Sequence, residues 1–283
     1  MTVKIGTRRS KLALKQTEMV IKAIRDKFPD INIETVHITT KGDRVLDRPL
    51  EAIGGKGVFI AEIEEALLHG VIDLAIHSAK DLPSSLAEGT VIGAVLERGD
   101  AREVLIARKG GVLTENSVIG TGSERRRTQF TGSVHHAVFK DIRGNVDTRL
   151  DKLAEGQYDG VILAKAGLER LGLDKDDRFD FRIFSPDDFI PAACQGIIAV
   201  QSRYGDLEEI LRNVDNHDTH ICFNAEREIL KLENSDCSSP LGAYSFIENG
   251  ILKVTAARGR NRGYAEGEKS EWHELAYKAW SRV

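Results

Sequence analysis

Val118-Ile119-Gly120-Thr121-Gly122-Ser123 repeats the pattern of an earlier stretch, Lys4-Ile5-Gly6-Thr7-Arg8-Arg9-Ser10. In each, a short apolar strand runs into a glycine turn and a hydroxyl residue then opens a helix. After the first copy, Leu14, Ile21, Ile24 and Phe28 fall at near-helical spacing. After the second, the pattern predicts a helix over 124–130. Working outward, strands are expected at 33–39, 72–76, 137–142 and 159–164. Helices are expected at 58–69 and 146–155, closed by Gly70 and Gly156, with Asn145 as cap of the latter. Alternating strands and helices imply parallel sheets flanked by helices. Two copies imply two similar α/β lobes with a cleft between them. Ligands of such sheets sit beyond the carboxyl ends of the strands. Arg8, Ser78, Lys80, Asp81, Ser123, Arg125 and Arg143 all fall at those ends.

The rest of the chain reads differently. A long polar stretch with Gly42-Asp43 and Gly54-Gly55-Lys56-Gly57 predicts a mobile loop over 40–57. His77 to Pro83 reads as a turn after a buried strand. Residues 219–232 read as a helix and 234–240 as a loop. Strands at 241–247 and 251–256 meet through Asn249-Gly250, a strong hairpin signal. A charged loop over 258–270 then precedes a last helix with Trp272, Leu275, Ala276, Ala279 and Trp280. This tail reads as a small α+β domain.

Composition narrows the function. The 283 residues carry net charge −4, yet 120–150 holds six Lys/Arg against three Asp/Glu. Arg125-Arg126-Arg127, Arg143 and Arg149 supply most of that excess. A local basic site in an acidic chain suits a small, multiply negative ligand, because guanidinium groups grip carboxylates and phosphates with paired hydrogen bonds. The acidic balance and 6% aromatic residues disfavour a nucleic-acid partner. No apolar run approaches membrane-spanning length, and the N-terminus lacks an apolar signal core, so a cytoplasmic location is expected. Cys194, Cys222 and Cys237 form no CxxC pair, and the eight histidines show no metal-ligand spacing. Neither disulfides nor a metal site is expected. Asp81 reads as a turn aspartate or as a carboxylate set to steady a cation. Cys237 reads as incidental, as a nucleophile or as an attachment point; its position alone does not choose.

Seven segments carry a resemblance. They are Gly6-Thr-Arg8-x-Ser10-x-Leu-Ala13-x-x-Gln16, Gly54-Gly-Lys56-Gly-x-Phe59, His77-Ser78-x-Lys80-Asp81-x-Pro83, Gly120-Thr-x-Ser123-x-Arg125-Arg126, Ile142-Arg-Gly-Asn-Val-x-Thr-Arg149-Leu, Ala166-Gly-Leu-x-Arg170-Leu-Gly and Pro191-Ala-x-x-Gln195-Gly. In this order, over about residues 3–245, the chain resembles the porphobilinogen deaminase (hydroxymethylbilane synthase) family. The resemblance implies two periplasmic-binding-protein-like doubly wound lobes plus a small α+β C-terminal domain. The expected lobes are 1–97 with 197–217, and 98–196, followed by a third domain over 218–283. It implies head-to-tail condensation of four porphobilinogen molecules, with loss of ammonia, into the linear tetrapyrrole hydroxymethylbilane. A dipyrromethane cofactor would be attached to Cys237. Asp81 would be catalytic, stabilising cationic azafulvene-type intermediates. Ser78, Lys80, Asp81, Thr121, Ser123, Arg125, Arg126 and Arg149 would contact the cofactor. Arg8, Ser10, Gln16, Arg143, Arg149 and Arg170 would bind substrate acid groups. Lys56 and Phe59 would lie in the mobile loop, and the enzyme would be a monomer. The cofactor-loop residues Ser235-Asp236 stand where the family usually has two glycines.

Overall fold

The computed structural model describes residues 1–40, 60–130, 137–233 and 240–283. Its strands begin with β1 (Thr2–Thr7), β2 (Asn32–His37), β3 (Leu74–Ser78), β4 (Thr90–Val95) and β5 (Glu103–Arg108). Next come β6 (Val118–Gly120), β7 (Val138–Lys140), β8 (Gly160–Ala164), β9 (Phe179–Ile183) and β10 (Ile198–Arg203). The last three are β11 (Leu241–Glu248), β12 (Ile251–Arg258) and β13 (Asn261–Glu268). The helices are α1 (Lys11–Lys27), α2 (Ala61–Leu68), α3 (Glu124–Phe130), α4 (Val146–Ala154), α5 (Lys165–Leu171), α6 (Glu208–Val214), α7 (His217–Glu233) and α8 (Trp272–Trp280). The chain divides into two units, Met1–Gly99 with Ile197–Ile221, and Asp100–Gly196 with Cys222–Val283. The loop expected at 40–57, with Lys56 and Phe59, falls outside the described residues apart from Thr40. Cys237 does too.

The first unit is built on a five-stranded sheet in the order β2-β1-β3-β10-β4. The second repeats that plan as β7-β6-β8-β5-β9. The expectation of parallel sheets needs correction. Within each sheet one strand is reversed: β10 runs antiparallel to β3 and β4, and β5 runs antiparallel to β8 and β9. Both reversed strands follow a passage of the chain from one unit to the other, and neither reversal is legible in the sequence. Their apolar runs carry no sign of direction.

Local chemistry explains the elements that the sequence does predict. Ser10 caps α1, its Oγ accepting from the Ala13 amide at 3.3 Å. The buried side of α1 (Val20, Ile24) packs with Val3, Ile5, Leu74, Ile76, Ile198 and Val200 in the first core. The second unit packs Val104, Ile106, Leu150, Leu153, Val161 and Leu168 together. Burying such aliphatic side chains stabilises by about 1.5–3 kcal/mol each. His77 and Ser78 prove to be the end of β3, and the turn that follows is a single 3-10 turn over Ala79–Asp81.

The tail holds a second correction. Residues 261–268 form β13 rather than a charged loop, pairing with β12 along its whole length. Its charges mislead because they alternate: Gly263 and Ala265 are buried between exposed Arg262, Tyr264 and Glu266. Gly263 cannot be replaced without movement, since a Cβ there would lie 1.9 Å from the Ala279 carbonyl oxygen of α8. The β11–β12 hairpin turns as expected on Asn249 and Gly250, both at positive φ (52° and 81°).

Candidate functional site

In the first unit the polar residues converge where β1 and β3 end. Thr7 is fully buried, and its hydroxyl accepts from Thr17 of α1 at 2.7 Å. Half-buried Arg8 and the cap Ser10 follow directly. Buried Gln16, one turn into α1, donates from Nε2 to Ser78 Oγ at 2.8 Å, tying the helix to the end of β3. The turn after Ser78 is anchored by buried Ala79 and Leu82, with the Ala79 amide donating to the Ile197 carbonyl at 3.0 Å. Lys80 and Asp81 stay half-exposed between these anchors. Among the described residues the Asp81 carboxylate has no hydrogen-bond or ion-pair partner. A carboxylate held on an anchored turn, with its charge unspent, acts on whatever cation is brought beside it.

Behind that turn, buried His77 shares a 2.8 Å hydrogen bond between its Nε2 and Gln201 Oε1. Gln201 spends both amide hydrogens elsewhere, on Glu64 Oε1 and Thr90 Oγ1, each at 2.8 Å. Its oxygen must therefore accept, which fixes the His77 proton on Nε2. Burial pushes this imidazole down from 6.5 to about 4, against smaller upward pulls from the Gln201 hydrogen bond and from Asp81. His77 is a neutral neighbour of Asp81 at physiological pH.

In the second unit β6 leads into Thr121-Gly122-Ser123. The Ser123 amide donates to Thr121 Oγ1 at 3.2 Å. Ser123 Oγ in turn accepts from the Arg126 amide at 3.4 Å, at the first turn of α3. Arg125 and Arg126 are buried. Arg125 donates to Glu103 Oε1 at 2.5 Å and to the Ile190 carbonyl at 2.9 Å. Arg126 pairs with Glu103 Oε2 at 2.8 Å and donates to the Ile162 carbonyl at 2.7 Å. Arg127 reaches the Thr121 carbonyl at 3.1 Å and Asp141. Arg149, on α4, donates from Nε to the Gly144 carbonyl at 2.8 Å. Half-buried Arg143 precedes that helix. Arg170, at the end of α5, donates to the Gly196 carbonyl at 2.5 Å. Burial lowers it to about 10, so it stays charged near neutrality.

The strand-end residues named from the sequence thus fall into two sets. Arg8, Ser10, Gln16, Ser78, Lys80 and Asp81 gather in the first unit. Thr121, Ser123 and Arg143 follow strand ends of the second, with Arg125 and Arg126 turned onto Glu103. Sequence reasoning missed Glu103 and Gln201. The signal for Glu103 was an acid opening a buried run, Glu103-Val-Leu-Ile-Ala, which demands a buried cation. The donors of the second unit fit a group bearing several carboxylates. Arg126 Nε and Arg143 Nη1 are buried and have no hydrogen-bond partner among the described residues, and an acid oxygen is the complement such N–H groups need.

Two α/β units of the same strand plan, one presenting a carboxylate that is unpaired among the described residues and one rich in guanidinium groups, suit the handling of an anionic ligand. Residues 3–211 match the family model described as porphobilinogen deaminase, dipyromethane cofactor binding domain. A porphobilinogen deaminase of Acetivibrio thermocellus is 43% identical, covering 94% of this chain and 96% of its own. One from Roseiflexus sp. is 45% identical over 93% of this chain and 87% of its own. Among solved structures, a sulfate-bound mutant regulatory domain of OxyR2 from Vibrio vulnificus aligns with a TM-score of 0.46 at 14% identity, over 76% of this chain and 94% of that one. The chain belongs to the porphobilinogen deaminase family, as its seven motifs implied.

Proposed function

We propose that this chain is a transferase that joins four porphobilinogen molecules head to tail, releasing ammonia, to give hydroxymethylbilane. The observation that carries this reading is the Asp81 carboxylate, anchored by its turn and unpaired among the described residues. Loss of ammonia leaves positive charge on the pyrrole of the substrate. A carboxylate ~4 Å away, at an effective dielectric near 20, is worth about 4 kcal/mol to that charge. Neutral His77 beside it adds no competing cation. Lys80, Ser78 and Gln16 orient ligand groups at the same strand ends.

A dipyrromethane attached at Cys237 would supply the pyrrole end to which substrate units add. Thr121, Ser123, Arg126, Arg143 and Arg149 would hold its acid arms and those of the growing product. Arg8, Ser10 and Arg170 would bind substrate carboxylates. Arg125, spent on Glu103 and Ile190, contributes through the charge of the pair it forms with Arg126. Among the described residues no helix is long and apolar enough to cross a membrane; a monomer in the cytoplasm, with no nucleic-acid partner, suits this reading.

The test is an intact mass of the purified chain with an Ehrlich's-reagent assay for attached pyrrole. The expected mass exceeds the bare chain by two porphobilinogen units less two ammonias. A bare mass from cells that make tetrapyrroles, with no turnover of porphobilinogen, would overturn the assignment.

A further inference from the structure

We infer that Glu103 is a positioning residue: it locks Arg125 and Arg126 into a buried receptor of net single positive charge, matched to one carboxylate of the pyrrole ligand. This rests on the function proposed above. Glu103 is the first residue of β5 and is 0% exposed. Each of its oxygens meets a different guanidinium, Oε1 with Arg125 at 2.5 Å and Oε2 with Arg126 at 2.8 Å. The far sides of the two guanidinium groups are pinned as well, by the carbonyls of Ile190 and Ile162. Gln129, one helical turn after Arg125 and Arg126, binds the Ile190 backbone twice, at 2.7 and 3.1 Å, which fixes the segment that pins Arg125. The Phe189 ring lies 5.9 Å from the Arg125 guanidinium carbon. Neither arginine is free to choose its orientation.

Among the described residues the charges do not cancel. Two cations and one anion leave one positive charge in a cluster whose side chains are 6%, 9% and 0% exposed. Burying an uncompensated charge is costly unless an anion joins it. Among the described residues Arg126 keeps a buried Nε without a hydrogen-bond partner, and Glu103 Oε2 meets Arg126 as an ion pair only, so the cluster retains a donor for such an anion. Without Glu103 the pair would carry two positive charges side by side and lose its common anchor. With a second acid in place of either arginine it would have nothing to offer a carboxylate. Glu103 therefore sets both the aim and the charge of the receptor while touching no ligand itself.

The experiment uses the full chain made in cells that cannot synthesise porphobilinogen, as wild type, Glu103→Gln and Glu103→Asp. Thermal midpoints are measured with inorganic phosphate against chloride at equal ionic strength. Porphobilinogen is then added, and the rate at which the chain gains two pyrrole units is followed by intact mass. Glu103→Gln should show a phosphate-induced rise in midpoint about twice that of wild type and load pyrrole at least about tenfold more slowly, the weight of one lost charge-assisted contact. Glu103→Asp, which keeps the charge, should move both back toward wild type. Equal phosphate dependence in Glu103→Gln and wild type, or an Asp variant no better than Gln, overturns the inference. If Glu103→Gln does not fold, Arg126→Met, which cancels the net charge, should abolish the phosphate effect; an unchanged effect again overturns it. Failure of wild type to load pyrrole would instead refute the proposed function, leaving the phosphate comparison to decide the charge of the receptor.

Discussion

Acid should weaken the first unit through one identifiable group, His77. This imidazole is buried against Gln201 and holds its single proton on Nε2. Its folded pKa lies at about 4, against 6.5 for the free side chain. The unfolded chain therefore takes up a proton as pH falls through 6.5, whereas the folded chain does not until about 4. Between these values the unfolded state binds more protons, so stability drops as pH drops and levels off below about 4. The fall from 6.5 to about 4 corresponds to about 3 kcal/mol. Set against a typical total of roughly 5–15 kcal/mol, this is a large share. The control is His77→Gln, whose amide can still reach Gln201 but does not titrate. Urea unfolding followed by far-UV circular dichroism, at a series of pH values from about 8 to about 4, gives both stabilities. Other titrating groups are common to the two proteins and cancel in the difference. Wild type should lose about 3 kcal/mol relative to His77→Gln across that range. A difference that stays flat with pH would refute the burial argument.

Three further outcomes are expected. Asp81→Asn should lower turnover by about a thousandfold, the kinetic equivalent of about 4 kcal/mol, while the pyrrole mass and the thermal midpoint stay as in wild type; near-normal turnover removes Asp81 from its role. Cys237→Ser should yield a chain without attached pyrrole, read by intact mass and Ehrlich's reagent, and a pyrrole adduct on that variant would place the attachment elsewhere. Gly263→Val should cost about 2–3 kcal/mol or more in urea unfolding, since its side chain would drive into the Ala279 carbonyl; a change under 1 kcal/mol would mean α8 gives way readily.

Much of the fold is readable from short-range chemistry. The Thr121–Ser123 echo of Thr7–Ser10 marks two like units because strand, glycine turn and cap are local events. Asn249-Gly250 marks the hairpin for the same reason. What escapes depends on partners far away in sequence. His77 meets Gln201 across 124 residues, and Arg125 meets Glu103 across 22. An arginine cluster signals an anion but not which one, so nothing local to Arg125 and Arg126 reveals that an internal glutamate engages both. The direction of β5 and β10 is equally hidden, because a reversed buried strand has the same composition as a forward one. β13 is masked by its charges, which sit on alternate residues of a half-exposed strand.

The placement of β10 has a consequence for how the protein is made. That strand lies between β3 and β4, yet the ribosome delivers it only after the entire sheet of the second unit, which is complete in sequence by Ile183. During synthesis β3 and β4 wait without their shared neighbour, each presenting an open edge that invites misplaced pairing. The later-encoded sheet can thus close before the earlier one, and the N-terminal half reaches its final form by receiving a strand from downstream.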